Sequence, residues 1–315
     1  MNILAVRKLP KTLAFLVALL PAIQTVAIGE TRVGEIQSVE GPVTFDAYAT
    51  GKFIAAMPGD ALFEQSVIKT GFEGRAELLI GGERFTIPPD TEARIETLLE
   101  SRRKQRKVGW LSSFIKYVGR WVSSSWKEEE TAVLGGRASK SEASTDFWVT
   151  EDDVFLVKAR ELIAEEDYAE ALEMLEAIQF APEDALPGEV EYLKGHLYYS
   201  MGFYEEATWH LGNADFEIEK SGYNFSEIPF YTLLHFERAS SHYFSGDYDM
   251  SQSILTVLIQ GGPGELEPYA LLMLAQVLRE AGNITESRRL AEEALGSYRG
   301  TPFEADFSVL ADEGE

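Results

Sequence analysis

The rhythm of apolar and polar positions changes near residue 150. From Gly34 to about Glu96, apolar residues recur in short alternating runs, and turn residues separate the runs. Ile36, Val39, Val43 and Phe45 flank a Gly-Pro step. "RAELLIGGERFTI" sets strand-forming residues on both sides of Gly81-Gly82, a hairpin dipeptide. Pro58-Gly59-Asp60 and Thr70-Gly71 mark further turns. This pattern predicts a small all-β module. From Val154 to Tyr298 the texture becomes Ala, Leu, Glu and aromatics at helical spacing, broken by short turns. The expected organisation is a β region at 30–150, an all-α helical region at 151–300 and an acidic tail at 301–315.

The helical region repeats. "EEDYAEALEML", "MGFYEEATWHL", "SGDYDMSQSIL" and "AGNITESRRLA" share one form: a turn, an anchor residue, a small residue three later and an apolar one four further on. The anchors Tyr168, Tyr204, Tyr248 and Ile284 are spaced by 36, 44 and 36 residues. Their small partners are Ala171, Ala207, Ser251 and Ser287, and nine residues before the anchors stand Ala159, Gly195, Ala239 and Ala275. Small residues at such positions let two antiparallel helices approach closely. The longer middle interval holds "EKSGYNFSEIPFY", an extended turn. A period of about 34 residues in helix pairs resembles the tetratricopeptide repeat. Pro182 and Pro263 fall after the second helices of the first and third pairs, where that family often has proline. The resemblance implies a curved solenoid whose first helices line a concave face for a peptide or protein partner. Mapped onto this chain, it implies a binding groove of Arg160, Tyr192, His196, Tyr199, Phe236, Ser240, Tyr243, Gln276 and Arg279. Aromatics beside arginine suit an interface, but the same aromatics also suit the sealing of neighbouring repeats.

The β region carries its own resemblance. "VGEIQSVEGPVTF", "AAMPGDALFEQSVIKTGFEGRAELLI" and "FTIPPDTEARI" resemble the FecR domain, and "TAVLGGRAS" resembles a later element of it. The chain departs from that pattern at Gln65-Ser66, where Gly-Asp is usual, and at Ala138, where Gly is common. The resemblance implies a β-rich domain of bacterial envelope and signalling proteins, without catalysis. Asp60, Arg75 and Asp90 read as turn and hairpin residues.

Within the β region lies an amphipathic insert at about 108–126, "WLSSFIKYVGRWVSSSW" with its flanks. Trp110, Phe114, Tyr117 and Trp121 recur at four, three and four residues and form one helical face, with Leu111, Ile115, Val118 and Val122 beside them. Five cations precede it among residues 102–107. Three readings stand: a helix packed on either half of the chain, an interfacial helix on an anionic membrane surface, or nucleic-acid binding through stacking and charge, which export and the overall acidity disfavour. Trp110, Phe114, Tyr117 and Trp121 are the residues that would dock on a membrane or partner.

Charge and composition narrow the function. Lys plus Arg is 28 against 52 Asp plus Glu, a net charge of −24, which repels nucleic acid. Cysteine is absent, which excludes disulfides, thiolate metal sites and a cysteine nucleophile. Arg7, Lys8 and Lys11 precede an apolar run over 13–20, then Pro21 and small residues, so residues 1–27 are expected to be a signal peptide. The histidines His196, His210, His235 and His242 lack metalloprotease spacing, and no nucleophile has a visible base and orienter. No cofactor or metal is therefore expected. The combined expectation is an exported, non-catalytic adaptor of the envelope that binds a protein or peptide. The alternative is a FecR-like signal relay that keeps its N-terminal apolar segment as an anchor; a cell-wall enzyme is a third and weaker reading.

Overall fold

The computed structural model describes residues 31–108, 110, 114, 151–180, 182 and 185–312. The N-terminal region is two antiparallel sheets. Strands β1 (Arg32–Glu40), β4 (Ala61–Phe63), β6 (Arg75–Ile80) and β7 (Glu83–Ile87) form one, in the order β4-β1-β6-β7. Strands β2 (Val43–Asp46), β3 (Ile54–Ala55), β5 (Val67–Thr70) and β8 (Glu92–Arg94) form the other, in the order β3-β2-β5-β8. Alternation sets the faces: along β6, Ala76, Leu78 and Ile80 point into the core while Glu77 faces solvent. Ile80 pairs with Glu83 across Gly81-Gly82, both with positive φ, as a two-residue mirror-image turn requires.

Turn chemistry explains the departure at Gln65-Ser66. The buried Ser66 hydroxyl accepts from Phe63 N–H and donates to the Ala47 carbonyl. Asp60 accepts from Met57 N–H, and Asp90 has φ of 50°, so both are turn residues. The close β1–β6 pairing leaves no room for a side chain at residue 34, where a Cβ would stand 2.2 Å from the Leu79 carbonyl oxygen. Gly34→Ala is expected to cost at least the ~1–3 kcal/mol typical of overpacking, read as a lower urea midpoint.

Helix α1 (Ile95–Lys107) follows directly from β8. From sequence alone this stretch reads as the end of a strand and a cationic run, not as a helix. Ile95 and Leu98 are buried, and the good helix formers between them and Lys107 sustain the turn.

The remaining helices are α2 (Glu151–Ala164), α3 (Tyr168–Ala177), α4 (Glu189–Met201), α5 (Tyr204–Ser221), α6 (Tyr231–Ser245), α7 (Tyr248–Gln260), α8 (Glu267–Glu280), α9 (Ile284–Ser297) and α10 (Glu304–Asp312). They form antiparallel pairs α2/α3, α4/α5, α6/α7 and α8/α9, a tetratricopeptide-like array, with α10 packed on its end. The expected small residues stand where the paired helices meet, and their hydroxyls stitch them: Ser251 donates to the Ala239 carbonyl at 2.8 Å and Ser287 to the Ala275 carbonyl at 2.6 Å. A Cβ on Gly195 would lie 2.6 Å from Leu211, so α4 and α5 meet too closely there for a side chain. Asp167 and Asp247 cap α3 and α7 through Glu170 and Met250 N–H. The long middle interval is taken up by the extended α5 and a 3₁₀ turn over Phe225–Glu227. The expected acidic tail is corrected in part: Phe307 and Leu310 of α10 are buried, because the array's last pair needs its apolar face covered.

Among the described residues, no helix is long and apolar enough to cross a membrane. The β region and the array share one core, joined through α1, Trp110 and Phe114.

Candidate functional site

The nine groove residues lie on the first helices of the pairs, α2, α4, α6 and α8. Their exposure corrects the picture of an open groove. Tyr192, His196, Tyr199, Phe236, Ser240, Tyr243 and Gln276 are buried, and Arg160 and Arg279 are half-buried. Two causes produce this.

The first is pairing between successive repeats. Arg160 on α2 reaches the buried Glu189 at the start of α4, with Nε 3.0 Å from Oε1. His196 on α4 meets Glu237 on α6, Nδ1 to Oε1 at 2.8 Å, with the carboxylate fully buried. Tyr192 stacks on Phe230 at 4.5 Å, and Tyr243 lies beside Gln276 of the next pair. Arg279 donates to the Leu310 carbonyl of α10 at 3.4 Å. Each link joins one repeat to the next, so these side chains hold the curvature of the array as well as lining it.

The second cause is the chain's own insert. Phe114 is fully buried with its ring 4.2 Å from Phe236, and 5.2 Å from Tyr269 on α8. Trp110 lies 6.5 Å from Phe236 and 6.1 Å from Tyr269. Phe114 N–H donates to the Trp110 carbonyl at 3.0 Å, so the two aromatics are one helical turn apart. Of the three readings for the insert, packing against the helical half accounts for these two residues. Tyr117 and Trp121 lie outside the described residues.

Helix α1 packs on the array at the start of α5 and the end of α6. Lys104 Nζ donates to the Phe244 carbonyl at the end of α6, 3.0 Å, and Gln105 donates to the Tyr204 hydroxyl. On its other side, Arg102 and Arg106 pair with Glu83, Arg103 pairs with Glu64, and Arg102 also stacks over Phe85. Arg75, expected only to be a hairpin residue, reaches across to Asp167 of the array at 3.5 Å. The helix thus clamps the β region to the array.

The face is polar beneath its aromatics. Tyr192 Oη and Glu237 Oε2 are buried with no hydrogen-bond partner among the described residues, which costs about 1–3 kcal/mol per group. Burial holds the Tyr192 phenol well above its ordinary range, so it stays protonated and available as a donor. The His196–Glu237 link escaped the sequence analysis because its two residues lie 41 apart across an irregular repeat. A charged residue beside Phe236 and Ala239, within a row of core positions, was the signal for it.

Other histidines set a pH response. Burial pushes His235 below the ordinary value of 6.5, against the pull of Asp215 at 3.4 Å. Burial lowers His242 as well, against Asp247. A depressed histidine resists protonation in the fold while the unfolded chain accepts the proton, so stability is lost as pH falls through 6.5. Glu191 acts later. Burial raises it, but His210, Lys194 and Asn213 together hold it below 4.5, so its contribution is lost only under stronger acid. Burial raises Glu176 and Glu206, which work in the opposite sense in that acid range. The melting temperature is expected to fall between about pH 7.5 and about pH 5.5, and His235→Gln to flatten that fall in thermal melts.

Among the described residues no group of three or more His, Cys, Asp or Glu is placed to hold a metal ion.

No family model matches the chain, and no curated protein matches it. Among solved structures, it is similar to a crystal structure of nearly identical TPR-like repeats from Podosopora anserina, described as those of a kinesin light chain. Identity is 17%, 63% of this chain and 91% of the other are covered, and the TM-score is 0.37.

Proposed function

We propose that this chain is a non-catalytic adaptor that binds a protein partner on the concave face of its helical array. The observation that supports the reading is the array itself: four stacked helix pairs whose first helices carry the aromatic residues of the groove pattern, with unsatisfied polar groups among them. Such a surface recognises by burial of aromatic anchors, with polar groups fixing register. The array is also strongly acidic. From residue 151 onward the chain has 9 Lys and Arg against 34 Asp and Glu, a net of −25, while residues 1–150 carry 19 against 18. The whole negative charge of the protein therefore lies on the proposed binding half, and it favours a basic partner.

We further propose that the adaptor works after export in a bacterial envelope. The cationic N-terminus followed by an apolar run supports export, and the FecR-like strands and turns of the β region support the envelope. In this reading the β region supplies a second dock and α1 fixes its position on the array.

Photo-crosslinking in cells tests the adaptor reading. A photoreactive residue replaces Tyr269, at the edge of the concave face, or Trp209, exposed on the outer helix α5. The expected outcome is a discrete crosslinked protein from position 269 and none from 209. Equal capture from both positions, or capture from 209 alone, would remove the concave face from the account.

A further inference from the structure

We propose that the outer face of α5 is a self-association surface, on which a second copy of this chain docks antiparallel and crosses at Gly212. The inference is independent of the adaptor reading above.

The starting point is a glycine that its own chain does not require. Gly212 stands in the interior of the 18-residue α5, where glycine is less stable than alanine. Gly195 has a packing reason for lacking a side chain, because a Cβ there would press on Leu211. A Cβ on Gly212 would meet nothing within 4 Å among the described residues. The notch is open to the outside.

Large aromatic rings flank the notch. Trp209 lies three residues before Gly212 and Phe216 four after, so all three share one side of the helix. Each ring is 63% exposed. Trp209 rests edge-on against His210 with ring centroids 4.6 Å apart, which fixes its direction. No Asp, Glu, Lys or Arg stands between Ala207 and Ala214, so the centre of the ridge carries no formal charge. Two copies of an array with a net charge of −25 can meet there without direct repulsion.

The ridge is also complementary to itself. Trp209 and Phe216 are placed evenly about the Gly212–Asn213 peptide bond. An antiparallel copy centred on that bond therefore sets each Trp209 against the partner's Phe216, and the two glycines let the helices approach closely. Exposed Glu205 and Lys220 share the ridge and are placed evenly about the same bond, so the same pairing sets each acid against a base. A parallel copy would set like against like. Glu206, the acid opposite Glu219 in the antiparallel pair, is half-buried and lies about 100° round the helix from Glu205. Such reciprocity, residue i on j and j on i, is what a two-fold interface requires. Two tryptophans and two phenylalanines bury less than the ~1,200 Å² of a stable interface, so the dimer is weak and concentration-dependent. Its consequence is two helical arrays in one particle, and so bivalent binding of any partner.

Sedimentation velocity of the full chain from about 1 µM to about 300 µM tests this. The expected result is a monomer at the low end and a dimer at the high end. Gly212→Leu fills the notch without meeting a neighbour in its own chain, and leucine is the better helix former, so the variant keeps its fold. It is expected to weaken the dimer at least about tenfold, as overpacking at a crossing point does. Glu205→Lys and Lys220→Glu should each weaken it by about tenfold, since each reversal acts twice across the two-fold axis. The two reversals together should restore it. Replacing Trp209 removes an anchor, so the photoreactive control at that position stays monomeric. The inference is overturned if the unaltered chain is monomeric throughout, or if folded Gly212→Leu dimerises as the unaltered chain does. A double reversal no tighter than either single one overturns it too.

Discussion

Changing His196 to leucine is expected to cost ~3–5 kcal/mol of stability, because it strands the Glu237 carboxylate inside the array. Glu237 is fully buried, and the 2.8 Å bond from His196 is its contact with a neighbouring repeat. Its second oxygen already lacks a partner. With the imidazole gone, the carboxylate is left buried without its partner in the seam between α4 and α6. Changing both residues to leucine should recover most of the loss, since a well-packed apolar pair often equals or exceeds a buried polar one. Urea denaturation of the two variants measures this. A single variant costing under ~1 kcal/mol would mean that the seam opens to solvent and that the link does not hold the repeats.

The second large effect is at Phe236. Phe236→Ala is expected to cost ~3–5 kcal/mol, and Phe236→Leu much less. The ring packs against Phe114 and Trp110, and those two rings in turn meet Tyr269 of α8. The cavity left by alanine removes the floor under Phe114 as well as part of the array core. The expected signature is therefore double. The denaturant midpoint falls, and Trp110 emission shifts to longer wavelength before the main transition. A single coincident transition at an unchanged midpoint would show that Phe114 does not depend on Phe236.

Much of the fold was legible in the chain. The Gly81-Gly82 hairpin, the alternation along β6 and the turn at Pro58-Gly59-Asp60 are local, and local chemistry sufficed to read them. The helix pairs were legible because close packing demands small residues at fixed offsets, and Gly195, Ala239 and Ser251 stand at those offsets. The groove positions follow from the same repeat pattern. Their burial does not, since Phe236 and Tyr243 present the same residue types whether they face a partner, a neighbouring repeat or the chain's own insert. Only long-range contact separates these cases, and Phe114 on Phe236 spans 122 residues. Helix α1 was overlooked because its cations dominated the reading, although Ile95 and Leu98 carry its buried side. Arg75 looked like a hairpin residue and is one, yet its guanidinium also reaches Asp167 in the array.

The most direct test of the central claim uses the absence of cysteine in the chain. Lys104→Cys on α1 and Ser245→Cys at the end of α6 create a chain with two thiols, both at positions lining the cleft between α1 and the array. A short bis-maleimide is expected to link them within one molecule in solution. Failure of the two thiols to link, in a chain that remains folded, would contradict the placement of α1 against the end of α6 and, with it, the clamping of the β region to the array.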